Sequence, residues 1–165
     1  MEIYRIIKGQ ATPPWLYKAY DYARMDAFVF GQNIPVESEY SHDEPDEELE
    51  AIVITDDHKP VGGCRITYPR PGIGKIGRVC VTRERQRTGI GRILVKEAEK
   101  WIKENGYTHI VINSQDRAAG FYRKCGYVLV PGADPGIYEN YQHPKGEARP
   151  NLGFTCVLVE KFLEE

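Results

Sequence analysis

Long hydrophobic runs are absent from this chain of 165 residues. No apolar stretch approaches the roughly 20 residues that a bilayer-spanning helix needs. The opening Met1-Glu2-Ile3-Tyr4-Arg5-Ile6-Ile7-Lys8 is broken by charges and leads to no small-residue cleavage site, so a signal peptide is not expected and the cytoplasm is the expected compartment. Cysteine is scarce. Cys64, Cys80, Cys125 and Cys156 are widely spaced, with no C-x-x-C pair and no Cys/His cluster. This excludes a disulfide framework and gives no metal site; each thiol lies in an apolar stretch and is expected to be a small buried hydrophobe. Internal repeats and low-complexity linkers are also missing, and 165 residues fit one domain spanning 1–165. Excess charge of one sign is missing too, since the net charge is −2. The even total hides an asymmetry. Glu37 to Glu50 holds eight acids and no Lys or Arg, whereas Arg70 to Arg92 holds seven Lys or Arg and one acid, Glu84. Such a division suits two ligands of opposite sign, with the acidic segment drawing in a cationic acceptor.

What is present is a clear alternation of elements. Glu2 to Lys8 reads as a strand. Pro13 and Pro14 open a helix whose apolar positions recur to about Phe30. A polar, acidic loop or short helix follows. Ala51 to Thr55 and Pro60 to Tyr68 form a hairpin, and Ile76 to Thr82 is a further strand. Gly89 to Asn105 is the clearest helix, with Ile90, Ile93, Leu94, Ala98, Trp101 and Ile102 on one face and Gly106 closing it. Thr108 to Asn113 is a strand, Asp116 to Cys125 a short helix, and Tyr127 to Val130 and Phe154 to Val159 the last strands. The fold class is therefore α/β (α+β): a mixed, mostly antiparallel sheet of about six to seven strands with helices on both faces. The connection from Pro131 to Asn151 is long and rich in proline and glycine, as functional loops often are.

The chemistry concentrates between Val79 and Arg92, where a strand runs through a polar turn into the strongest helix. Gln86-x-x-Gly89-x-Gly91 sits at that junction. A helix start offers unpaired N–H groups and the positive end of its dipole, a ready anion site. Glycines there let a pyrophosphate approach the backbone, at a stability cost that calls for a reason. Gly72-Ile73-Gly74-Lys75-Ile76-Gly77 also satisfies G-x-G-x-x-G, but strand residues follow it instead of a helix. It reads as a flexible hairpin turn, not a dinucleotide site. The basic segment lacks interleaved aromatics and any nucleic-acid motif, so no nucleic-acid partner and no membrane partner are expected.

Gln86, Gly89 and Gly91 match the Q/R-x-x-G-x-G/A signature of the GNAT superfamily of acetyl-CoA-dependent N-acetyltransferases, which this chain resembles. Ala118-x-x-Phe121-Tyr122-x-x-x-Gly126-Tyr127 is similar to that superfamily's downstream A-x-x-F-Y-x-x-x-G-F/Y motif. Gln115 stands where many members have asparagine, so its position carries over but not its contact. The resemblance implies a fourth strand splayed from the fifth. It implies acetyl-CoA as cosubstrate: the backbone of Val79, Cys80 and Val81 along the pantetheine, and Gln86, Arg87, Thr88, Gly89, Ile90, Gly91 and Arg92 around the pyrophosphate. It further implies Val81 N–H as the group polarising the thioester, Tyr122 as proton donor to the leaving thiolate, and a small-molecule or protein amine as acceptor. Glu37, Glu39 and Glu139 are the candidate bases. His42 and His143 rank lower, and His109 reads as structural. The acceptor and the oligomeric state, a homodimer among the options, stay open. A non-catalytic acyl-CoA sensor of the same fold is the alternative.

Overall fold

Ala51, Ile52, Val53 and Ile54 are all fully buried. A strand covered on both faces lies inside a sheet that carries helices on each side. The computed structural model describes residues 5–10, 14–40, 50–138 and 153–164. Its strands are β1 (Arg5–Gln10), β2 (Glu50–Asp56), β3 (Lys59–Arg70), β4 (Ile73–Val81), β5 (His109–Gln115), β6 (Val128–Leu129) and β7 (Cys156–Phe162). They form a 7-stranded mixed sheet in the order β1-β2-β3-β4-β5-β7-β6, antiparallel at every pairing except β4 with β5.

Four α-helices complete the described chain: α1 (Pro14–Arg24), α2 (Val36–Tyr40), α3 (Ile90–Glu104) and α4 (Ala119–Lys124). Alternate residues of β2 point to opposite faces, and this sorts the helices. Ile52 and Ile54 join Ile90, Leu94, Val95, Ala98 and Ile102 of α3 in the main core. Ala51 and Val53 pack with Leu16 and Tyr20 of α1 on the other side. The first helical run does not continue as plain α-helix to Phe30. From Met25 to Phe30 it widens into a π-helical segment, a feature that often accompanies functional sites.

The glycine-rich stretch after Pro71 corrects the hairpin-turn reading. Only Gly72, at φ 81°, has the left-handed geometry of a turn there, and β4 already begins at Ile73. Gly74 lies within the strand, where an added Cβ would stand 2.7 Å from Ile102 of α3. It is glycine so that helix and sheet can approach closely.

Candidate active site

Parallel pairing of β4 with β5 is brief: Ile73 with His109, Gly74 with Ile110, and Lys75 with Val111. Beyond Lys75 the two strands part. The register gives the cause. Gly63 pairs with Cys80 and Arg65 with Gly77, so β4 carries one more residue than β3 over that interval. The extra residue is a β-bulge, and Arg78 within it takes φ 51°, a conformation that costs a non-glycine residue strain. A bulge bends its strand and raises local twist, and here β4 turns from β5. The result is a cleft of about 270 Å³ with Gly77, Arg78 and Val79 on one wall and Asn113, Ser114 and Gln115 on the other.

At the end of β4, Thr82 N–H donates to Val61 O at 3.0 Å, across to β3. Backbone groups alternate sides along a strand, so those of Val81 face away from β3, towards the opening. Gln86 Nε2 donates to Val81 O at 3.2 Å from that side. Cys80, by contrast, faces β3: its backbone is paired with Gly63, and its Sγ donates to Gly63 O at 3.3 Å. Arg83 and Arg85 are tied down by Asp26 and Asp56 at 3.1 and 2.6 Å. Thr88 Oγ1 donates to Arg85 O. Arg87 and Arg92 are exposed, and no carboxylate among the described residues pairs with either. Gly89 is the N-cap of α3 at φ 90°, and no protein atom lies within 4 Å of where its Cβ would be. An added Cβ at Gly91 would meet Phe121 at 3.3 Å. The start of α3 is thus an open, side-chain-free cradle of backbone amides beside two arginines, a fit for a phosphate-bearing cosubstrate.

Tyr122, on α4, lines the cleft. The downstream motif explains its placement. Gly126, at φ 96°, ends α4 by donating to Arg123 O at 3.0 Å, while Tyr127 N–H donates back to Tyr122 O at 3.0 Å. That pair of bonds is a Schellman cap. It sets Tyr127 edge-on to Tyr122, ring centroids 6.0 Å apart. Burial pushes the Tyr122 phenol above its ordinary range, and the Coulombic influence of Cys64 adds to this. It therefore stays protonated at neutral pH.

Of the candidate bases, Glu39 lines the cleft and is buried. Its Oε1 accepts from Arg24 Nε at 2.6 Å, and its main-chain O accepts from Arg24 Nη2 at 2.6 Å. Arg78 Nε sits 2.9 Å from the same carboxylate oxygen as an ion pair without an aligned hydrogen bond. Arg24 is fully buried and stacks on Tyr40, its guanidinium carbon 4.2 Å from the ring centre. Glu37 is exposed on α2. Glu139, His42 and His143 lie outside the described residues, as do 41–49 of the acidic segment and 139–151 of the long connection. Gln115 belongs to a polar cluster at the cleft: it donates to Gln32 Oε1 at 2.9 Å and accepts from Arg117 Nε at 2.7 Å. His109 pairs with Glu160 at 2.9 Å and stacks on Phe162, a structural placement.

Sequence reasoning missed Arg24, and it did not assign Lys75 or Arg78 to the cleft. Arg65 and Lys75 are only 8% exposed, yet both line it. Gly77 is the signal that was available: it faces Arg65 across the ladder, and Arg65 Nε lies 3.3 Å from the place of its missing Cβ. Cys64 and Cys80 are buried and Cys125 and Cys156 half-buried, as small hydrophobes would be. No helix among the described residues is long and apolar enough to cross a membrane, and no metal-type cluster occurs among them.

Comparison with known proteins agrees with this fold. Residues 2–127 match the Acetyltransferase (GNAT) family. The Bacillus subtilis protein YjcF, an uncharacterised N-acetyltransferase, is 40% identical over 106 residues, which cover 64% of this chain and 74% of that one. A Lactobacillus plantarum protein provisionally assigned as an N-acetyltransferase superposes with a TM-score of 0.77 at 26% identity, covering 98% of this chain and 99% of that one. An acyl-CoA N-acyltransferase of Pseudomonas aeruginosa shares the fold at a TM-score of 0.71 and 16% identity, over 96% and 99% of the two chains.

Proposed function

Because this chain belongs to the GNAT acetyltransferase family, we propose that it moves an acetyl group from acetyl-CoA to a primary amine by direct attack within a ternary complex. One observation carries the reading: Tyr122 lines the opening between β4 and β5, and β4 runs on from that opening towards the glycine-started α3. Acetyl-CoA would supply an activated thioester. The backbone amides at the start of α3, with Arg87 and Arg92, would hold its phosphates. Val79 and Val81 would present the strand edge to its pantetheine, with Val81 N–H as the donor to the thioester carbonyl.

The amine must be neutral to attack. Glu39 is the candidate base that lines the cleft, but its carboxylate is held by two guanidinium groups. Such a carboxylate can still accept a hydrogen bond from the incoming amine, whereas taking up a proton would sacrifice its ion pairs. The proton is therefore best relayed through water, with Glu39 fixing the amine. Tyr122, kept protonated by burial, would donate a hydrogen bond to the departing sulfur and offset its charge.

The test is a thiol-release assay with acetyl-CoA against a panel of primary amines. Amine-dependent release of CoA with formation of the N-acetyl product is expected. Tight CoA binding by calorimetry with no release on any amine would instead identify a non-catalytic acyl-CoA sensor.

A further inference from the structure

Three polar side chains from two separate segments meet at the cleft. Gln32 comes from the turn between the π-helical segment and α2, and Gln115 and Arg117 come from the end of β5 and the 3-10 turn after it. Both glutamines line the cleft. Arg117 Nη2 donates to Gln32 Oε1 and Arg117 Nε to Gln115 Oε1, each at 2.7 Å, and Gln115 Nε2 donates to Gln32 Oε1 at 2.9 Å. A guanidinium donates and cannot accept, so it decides which end of each amide faces it. Both amide oxygens turn to Arg117. Gln32 Oε1 takes two of these bonds, while its Nε2, with two N–H groups, has no acceptor among the described residues. An amide whose oxygen serves a cation and a second amide is polarised, and its N–H groups become better donors.

The ring of bonds rests on fixed backbone. Asn33, at φ 56°, redirects the chain directly after Gln32, and the buried Ile34 donates its N–H to Phe28 O at 3.2 Å. Arg117 N–H donates to Asp116 Oδ1 at 2.9 Å, and its guanidinium carbon lies 4.8 Å from the centre of the Phe154 ring. A mere tie between the two segments would be stronger with a carboxylate at position 32, facing Arg117 as an ion pair. Glutamine gives up that strength and keeps two N–H groups. These donors are neutral, and Arg117 already presents its Nε and Nη2 to amide oxygens. They suit a neutral oxygen acceptor and offer nothing to an ammonium. Phe28 and Phe154 line the same cleft and suit an apolar flank on the molecule that carries that oxygen.

We infer that the Gln32 amide, oriented by Arg117, takes a neutral carbonyl oxygen of the acceptor, so that the preferred amine bears an amide or peptide carbonyl beside its amino group. This rests on the acetyltransferase reading above. Gln32 is then a specificity residue, and Arg117 is a positioning residue that acts through it.

Matched amines test this: leucinamide against 3-methylbutylamine, and phenylalaninamide against 2-phenylethylamine, with phenylalanylglycinamide as a third arm. Rates are taken per concentration of free amine base. A neighbouring carbonyl also changes the amine's own reactivity, so the native ratio of kcat/KM within a pair is judged against the ratio in variants. Gln32→Glu keeps an oxygen for Arg117 and removes both N–H groups. It should lower the ratio by about 3- to 10-fold, the scale of one neutral hydrogen bond, chiefly through the KM of the amide member. Arg117→Met should lower the ratio as well, because the amides are then free to turn, and Arg117→Lys, which keeps a donor, should fall between. A Gln32→Glu protein that folds, by circular dichroism, and keeps the native ratio would overturn the inference; if that variant does not fold, Gln32→Met carries the same test. A native ratio in folded Arg117→Met would overturn the orienting role. The better of phenylalaninamide and phenylalanylglycinamide tells a small amide from a peptide N-terminus. Titration of each amine into the native protein with CoA present reads acceptor binding without turnover. Tighter binding of the amide members, lost in Gln32→Glu, supports the inference even where no acetyl transfer follows, and equal binding within each pair overturns it. Failure of transfer alone counts against the acetyltransferase reading instead.

Discussion

In the proposed mechanism two side chains carry most of the chemistry. Tyr122→Phe keeps the ring that packs edge-on against Phe121 and Tyr127 and removes only the hydroxyl. A kcat lower by roughly 10- to 10³-fold is expected, with acetyl-CoA affinity nearly unchanged. Because burial raises this phenol, the native enzyme should show no loss of kcat from Tyr122 ionisation between pH 7 and about 9.5. Native turnover in the variant, with chemistry shown to be rate-limiting, would make Tyr122 a packing residue. Glu39 poses a different question, since it anchors as well as lines. Arg24 is fully buried against it, and neutralising the carboxylate removes the charge that faces a buried guanidinium at 2.6 Å. Glu39→Gln is expected to destabilise towards the lower end of the about 3–5 kcal/mol typical of a broken buried pair, read from urea midpoints. The pH–rate profile separates the roles. An acid limb that survives in the variant means a positioning residue, and an acid limb that disappears means a base.

At the scale of elements, α3 ends in two glycines of the same kind. Gly89 opens it at φ 90° and Gly106 closes it at φ 91°, and neither has a protein atom within 4 Å of its absent Cβ. Valine at either position brings the same left-handed strain, roughly 1–2 kcal/mol. Only the first end faces the proposed phosphate cradle; the second completes a Schellman cap, with Gly106 donating to Lys103 O and Tyr107 to Ile102 O. Gly89→Val should weaken acetyl-CoA binding by about tenfold or more, the loss expected when one charge-assisted hydrogen bond is blocked. Gly106→Val should lower the melting temperature similarly while leaving that affinity alone. Calorimetric titration of both variants checks this: equal affinities would show that strain in α3, not a blocked cradle, sets the effect of Gly89.

Across the whole molecule, legibility followed how local the cause is. The α3 stripe, its capping glycine and its glycine start are consequences of neighbours in sequence, and all were readable. The motif around Tyr122 was readable for the same reason, because a Schellman cap links residues five apart. The cleft wall was not. Arg78 at φ 51° is forced by a bulge counted between two strands, and the burial of Arg24, Arg65 and Lys75 depends on partners far along the chain. The same long-range burial makes a prediction for the whole fold. Cys80 is raised from 9.0 to about 12 and Tyr20 from 10.0 to about 12, both chiefly by burial. Cys64, Tyr122 and Tyr127 are pushed upward too, again mainly by burial. An unfolded chain releases these protons near 9.0 to 10.0, while the native state retains them. The unfolded state then binds fewer protons, so stability falls as pH rises. Below pH 8 both states are protonated and these groups contribute nothing. Above its ordinary value each costs about 1.4 kcal/mol per pH unit until its native value is reached, and several act together. Urea midpoints should therefore hold level from pH 7 to 8 and drop steeply by pH 10.5. A midpoint at pH 10.5 equal to that at pH 7 would mean that these thiols and phenols meet water in the native state, and that the core around Tyr20, Cys80 and Tyr122 is looser than its packing implies.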